Sequence, residues 1–278
     1  MTRFRKIYLE ISNICNLKCS FCPGTKREKQ TLTISEFTSL LPKLRPYSDY
    51  LYFHIMGEPL CHPQLSVFLS LAGDAGFKVI LTTNGTLLNK NQEMLLSSPA
   101  LHKVNISLHA FEANDLAVPF SEYLRECFAF GKAAEGKKLV VYRLWNQGGQ
   151  EERNHEILSA METAFPEPWK EGSRGVQIGE KVFLEYGKKF EWPDMEAEYS
   201  GEAVFCYGLR DQIGVLCDGT VVPCCLDHEG DIALGNLFEE SLEEILEKPR
   251  TKAIYDGFCN RKATEDLCRR CGYARRFG

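Results

Sequence analysis

Three cysteines, Cys15, Cys19 and Cys22, fall within the short segment ICNLKCSFCPG. Thiols this close in sequence read as one soft-ligand site for a metal or a metal cluster. A structural zinc site takes four protein ligands, and a fully protein-ligated 4Fe–4S cluster takes four cysteines. The CxxxCxxC spacing supplies three, and Pro23-Gly24 then turns the chain. One reading is a 4Fe–4S cluster with one iron left open for a substrate or cofactor. The others are zinc, or a cluster whose fourth ligand lies far away in sequence.

The other cysteines are distributed unevenly. Cys61 and Cys127 are isolated, whereas Cys206, Cys217, Cys224, Cys225, Cys259, Cys268 and Cys271 crowd the last quarter. Two metal sites, one towards each end, is the simplest arrangement. The chain has 278 residues, 44% apolar and 26% charged, with a net charge of −5. That is an ordinary core-forming composition with no global reason to bind nucleic acid or an anionic membrane. No secretory signal precedes the first strand pattern, and no apolar run reaches the ~18–20 residues of a membrane span. The expected location is cytoplasmic, where the twelve cysteines would serve as metal ligands rather than as a disulfide framework.

These thiols need elements to position them. Strand patterns at 7–11, 51–55, 78–83, 104–108, 139–144 and, more weakly, 182–186 alternate with helical patterns. The helices fall at 35–44, with Ser35 as N-cap, and at 64–75, 90–96, 121–134 and 153–164. Alternation of this kind implies parallel βαβ units. The expected fold class is α/β, a partial (β/α)6 TIM-like barrel followed by a small cysteine-rich domain. The boundary is expected near Glu198, giving units 1–197 and 198–278.

Cys15-x-x-x-Cys19-x-Phe21-Cys22, in a loop after the first strand, resembles the signature of the radical S-adenosylmethionine (SAM) superfamily. MGEP (56–59) resembles that family's GGEP motif, with Met56 replacing the first glycine. TTNG (82–85) and ISLHA (106–110) resemble its SAM-contacting strand ends. The resemblance implies that Cys15, Cys19 and Cys22 hold a 4Fe–4S cluster whose open iron chelates SAM. It also implies SAM contacts from Phe21, Gly57, Glu58, Thr83, Asn84, Ser107 and Arg143. Each has a bland alternative: a turn for Gly57, a helix-holding role for Glu58, packing for Phe21, a surface charge for Arg143. His54, His62 and His109 lie near the same rim and receive no role.

The C-terminal segment resembles the SPASM/twitch extension of the same superfamily. Cys206, Gly219 and Cys224 fit its C-x(9–15)-G-x4-C spacing, and Asp218-Gly219 suits a hairpin turn. Residues 234–246 resemble the short helix that follows. The resemblance implies that Cys206, Cys224, Cys268 and Cys271 saturate one auxiliary 4Fe–4S cluster. Cys225 competes with Cys224, Cys259 is an alternative to Cys268, and Cys217 is left over. A zinc ribbon is the alternative for this module.

The function implied is reductive cleavage of SAM to a 5′-deoxyadenosyl radical that takes hydrogen from a small-molecule or peptide substrate. The auxiliary cluster would accept an electron, giving a net two-electron oxidation or modification. An electron donor such as flavodoxin or ferredoxin is the expected partner. The start of the first strand at Ile7 leaves no room for a leader-binding domain, which weighs against a peptide. Lys26, Arg27, Lys29, Arg269, Arg270, Arg275 and Arg276 form either an anion-attracting set or a solvated face. The competing reading of the whole chain is a non-catalytic iron–sulfur electron carrier or redox sensor.

Overall fold

The computed structural model describes residues 3–114, 117–173 and 175–277. Strands and helices alternate through the first two thirds: β1 (Lys6–Leu9), α1 (Ile34–Leu44), β2 (Tyr50–Phe53), α2 (Leu65–Asp74), β3 (Lys78–Thr83), α3 (Leu88–Ser97), β4 (Leu101–Ser107), α4 (Phe120–Ala134), β5 (Leu139–Gln147) and α5 (Asn154–Ala164). Three strands follow: β6 (Lys170–Gly172), β7 (Gly175–Gly179) and β8 (Val182–Lys188). The C-terminal part holds β9 (Gln212–Val215), β10 (Thr220–Val222), β11 (Gly235–Asn236), α6 (Leu242–Glu247), α7 (Pro249–Cys259) and α8 (Asp266–Arg269).

All the strands join one sheet in the order β11-β10-β9-β1-β2-β3-β4-β5-β8-β7-β6. β1, β2, β3, β4, β5 and β8 run parallel as immediate neighbours, the expected six-strand partial barrel. β9 extends this parallel run on the far side of β1, with Ile7 opposite Ile213. β6 and β7 lie antiparallel on the edge beyond β8. Sequence reading did not find them, because β6 is exposed throughout and shows no apolar alternation.

Alternation along the strands separates two faces. Ile7, Leu9, Leu51, Phe53, Val79 and Leu81 pack outwards against the helices. Tyr8, Ile55, Leu216 and Val222 form a second cluster on the inner face, with Tyr52 and Cys225 against it. The helices bury matching stripes, as with Phe37, Leu40, Leu41 and Leu44 of α1. That helix is capped by Thr33, not Ser35. The Thr33 side chain accepts from the Glu36 N–H, and Glu36 returns a bond to the Thr33 backbone. This reciprocal box satisfies two otherwise orphaned donors. In the C-terminal part, the segment expected as one helix over 234–246 splits into β11 and a shorter α6, whose capping box begins at Ser241.

Candidate functional site

The three front cysteines lie in the long loop between β1 and α1, at the C-terminal end of the parallel strands, where barrel active sites sit. The loop is pinned at its base. Asn13 Nδ2 donates to Glu28 O at 2.7 Å, and Gln30 N donates to Asn13 Oδ1 at 2.9 Å. Cys15 and Cys22 are exposed and Cys19 half-buried. N–H groups point at two of the sulfurs: Leu17 N lies 3.4 Å from Cys15 Sγ, and Asn114 Nδ2 lies 3.1 Å from Cys19 Sγ. Burial pushes the Cys19 thiol up to about 11, and the neighbouring Cys22 and Cys15 push it in the same direction. Cys15 is likewise raised, first by burial, with Glu58 and Cys22 adding to the shift. The N–H donors aimed at two of the sulfurs would stabilise thiolates, the form in which cysteine binds a cluster.

The MGEP turn rests directly on this loop. Gly57 has φ +80°, and a Cβ there would overlap Ser12 O and come within 2.9 Å of Ile14 O. Only glycine allows this approach, and Glu58 N then donates to Ile14 O at 2.9 Å. Glu58 itself is 2% exposed. One carboxylate oxygen accepts from Leu60 N at 3.0 Å, the other from Asn84 N at 2.8 Å. It therefore ties the loop after β2 to the loop after β3. Burial raises its pKa to about 7 despite these N–H donors and the Thr83 hydroxyl. Thr83 also accepts from Gly85 N at 3.1 Å. Asn84 Nδ2 donates to Asn16 Oδ1 at 2.9 Å, inside the cysteine loop.

The remaining predicted contacts gather on the opposite side of the strand ends. Arg143 Nε donates to Glu185 Oε2 at 3.2 Å, and its guanidinium lies 4.4 Å from the Trp145 ring centre. The Phe21 ring packs on His109 at 4.9 Å, and His109 Nδ1 lies 3.1 Å from Arg143 O. Burial lowers the His109 pKa to about 4, so the ring is neutral. Ser107 is half-buried at the end of β4, just before a 3₁₀ turn at Leu108–Ala110. Sequence reading gave no role to His109, Trp145 or Glu185. Nothing but strand alternation on β5 and β8 marked the last two, and alternation does not distinguish a pocket wall from a core.

At the other end, Cys206, Cys224, Cys268 and Cys271 line one small cavity of about 30 Å³, together with Asp227 and apolar side chains including Phe258 and Leu267. Burial raises Cys206 to about 11, and it holds Cys224 and Cys268 well above the usual thiol range. The neighbouring thiols push each of the three further the same way. The leftover cysteines are not among the residues lining this cavity, although Cys225 acts electrostatically on Cys206 and Cys224. Cys225 packs against the inner-face cluster, Cys217 donates to Glu10 Oε1 at 3.1 Å, and Cys259 is exposed at the end of α7. The hairpin turn between β9 and β10 has Gly219 at φ +85°, where a Cβ would meet Asn236 Oδ1 at 2.5 Å. Four thiols lining one apolar cavity are a donor set of the kind a cluster takes.

The basic residues do not form one face. Arg27 is in a buried ion pair with Glu10. Lys29 Nζ donates to Asn13 O at 3.2 Å, and Arg269 pairs with Glu202 and Asp266. Arg270 donates to Ala197 O and Arg275 to Ser200 Oγ. The side chain of Arg276 lies outside the described residues. Among the described residues no helix is long and apolar enough to cross a membrane.

The parallel partial barrel carries a three-thiol loop at its strand ends and is followed by a module in which four thiols line one cavity. The radical SAM superfamily model matches residues 9–128, and that of the SPASM iron–sulfur cluster-binding domain matches residues 206–272. The chain thus carries a radical SAM domain in its first half and a SPASM domain at its C-terminal end. It is 29% identical over 142 residues to a tungsten-containing aldehyde ferredoxin oxidoreductase cofactor-modifying protein of Pyrococcus furiosus, a match covering 49% of this chain and 38% of that protein. The chain thus spans well under half of that relative's length. It is 25% identical to an S-adenosyl-L-methionine-dependent 2-deoxy-scyllo-inosamine dehydrogenase of Niallia circulans, across 96% of this chain and 92% of that one. The crystal structure of BtrN in complex with AdoMet and 2-DOIA superposes with a TM-score of 0.63 at 18% identity, covering 98% of this chain and 94% of that one. Members of this family are enzymes, and their cofactors are iron–sulfur clusters and SAM.

Proposed function

We propose that the chain is a radical SAM oxidoreductase that removes hydrogen from a small hydroxylated molecule, with the C-terminal cluster taking the second electron. The observation that carries this reading is the pairing of two different donor sets in one sheet. Three thiols stand in one loop, and four thiols line an apolar pocket. A three-thiol set leaves one iron free for SAM, whereas a four-thiol set leaves none. In this reading Cys15, Cys19 and Cys22 hold the SAM cluster, and Cys206, Cys224, Cys268 and Cys271 hold the auxiliary one. When bound, the first cluster and SAM would supply a 5′-deoxyadenosyl radical, and the second would accept an electron from the substrate radical.

The chain's own residues then do the positioning. Gly57 brings the MGEP turn against the cysteine loop, while Glu58 and Asn84 lock the strand-end loops together. Phe21, Ser107 and Arg143 present the other wall. The small-molecule substrate is favoured by the near full-length match to a dehydrogenase of an aminated cyclitol. A peptide is the second substrate class that the family resemblance leaves open. Residues 1–197 would form the catalytic unit and 198–278 the auxiliary one. The protein would work in the cytoplasm, with a flavodoxin or ferredoxin as reductant.

The test is anaerobic reconstitution, reduction with dithionite and incubation with SAM. The expected product is 5′-deoxyadenosine, with a ketone formed when a cyclitol or amino-cyclitol panel is added. A reduced, iron-loaded protein that forms no 5′-deoxyadenosine would instead be an electron carrier or redox sensor.

A further inference from the structure

Glu10 follows β1 and is completely buried. Its carboxylate collects donors from three separate segments. Arg27 Nη2, on the return limb of the cysteine loop, lies 2.8 Å from both oxygens. Met56 N, in the MGEP turn, lies 3.1 Å from Oε2. Cys217, in the C-terminal hairpin, gives both its N–H at 3.3 Å and its thiol at 3.1 Å to Oε1. Arg27 reaches further into the C-terminal module, with Nε donating to His228 O at 2.8 Å. The neighbouring Lys26 N donates to both Glu229 oxygens, at 3.0 and 3.2 Å.

Buried ion pairs are weak devices for stability, because apolar side chains of the same volume often do as well. They are better at fixing one geometry among several. This pair sits where the cysteine loop, the MGEP turn and the C-terminal module meet. We infer that Glu10 and Arg27 form a positioning pair that sets the cysteine loop and the MGEP turn in register for SAM, using the C-terminal hairpin as its anchor. The inference rests on the reading of Cys15, Cys19 and Cys22 as the SAM-cluster site. It makes the C-terminal module a mechanical support of that site, in addition to any electron-accepting role.

Two variants of the full reconstituted chain test it. Arg27→Lys keeps the charge, but its single ammonium cannot bond Glu10 and His228 O together as Nη2 and Nε of one planar guanidinium do. Glu10→Gln combined with Arg27→Gln removes both charges together, so that no unpaired charge is buried. SAM affinity is measured by equilibrium binding, and the change SAM induces in the electron paramagnetic resonance spectrum of the reduced front cluster is recorded. Each variant is expected to keep its iron and the auxiliary-cluster signal, to bind SAM about tenfold more weakly, and to lose or broaden the SAM-induced change. A pair serving folding alone would lower the thermal midpoint and leave both SAM readouts at wild-type values, which overturns the inference. Should Arg27→Lys fail to fold, the double variant decides by the same readouts. A wild-type spectrum that does not respond to SAM would instead overturn the underlying cluster assignment, and the inference with it.

Discussion

Single side chains near the strand ends have roles that can be separated by measurement. Replacing Cys15, Cys19 and Cys22 together by Ala is expected to remove about four irons per chain and to abolish 5′-deoxyadenosine formation. Iron content after anaerobic reconstitution checks this, and undiminished cleavage would refute it. Glu58 offers a second test. Burial raises its folded pKa to about 7 from the ordinary glutamate value of 4.5. A carboxylate whose pKa is raised on folding adds stability that is fully present below about pH 4.5 and is lost as pH rises through about 7. The metal-free wild type should therefore lose stability relative to Glu58→Gln between pH 4.5 and pH 8, by about 3 kcal/mol. Urea unfolding of both chains across that range measures the difference, and parallel curves would show that Glu58 does not titrate there.

Among the elements, the best-read ones were those where several local signals agreed. β3 has the bounds expected from its apolar run, and α4 begins within one residue of its expected start. The start of α1 lies one residue before the expected Ser35 and its N-cap two residues before, because Thr33-x-x-Glu36 forms a capping box. Thr33→Ala should cost ~1 kcal/mol and lower the melting midpoint by about 2–4 °C, as calorimetry of the wild type and variant would show. The site was legible where chemistry forced a residue type, as with the cysteines and Gly57. It was not legible where geometry alone assigns the role. Nothing local distinguishes Glu185, which pairs with Arg143, from the exposed glutamates of this chain, and nothing in the sequence around Glu10 announces a carboxylate shared by three segments. Such roles come from strands brought side by side by long connections, and periodicity carries no record of those.

At the scale of the whole molecule, the question is how the two cysteine sites cooperate. A Cys206, Cys268 and Cys271→Ala variant that folds is expected to keep cleaving SAM while failing to complete substrate oxidation. Product formation at the wild-type rate would show that the second cluster is not the acceptor. The two sites are not carried by independent bodies. β9 pairs in parallel with β1 from Lys6 opposite Gln212 to Leu9 opposite Val215, so the strand that opens the barrel sheet is completed only by residues made more than two hundred positions later. During synthesis, β1 must wait for the far end of the chain with an unpaired edge, and an edge of this kind invites pairing with other chains. A fragment ending before residue 198 would keep that edge for good, so it should collect as aggregates rather than behave as a smaller working enzyme. An exchange of β9 between two chains would give an intertwined dimer by the same pairing. Loss of the last eighty or so residues would leave β1 as an open edge unless another element covered it.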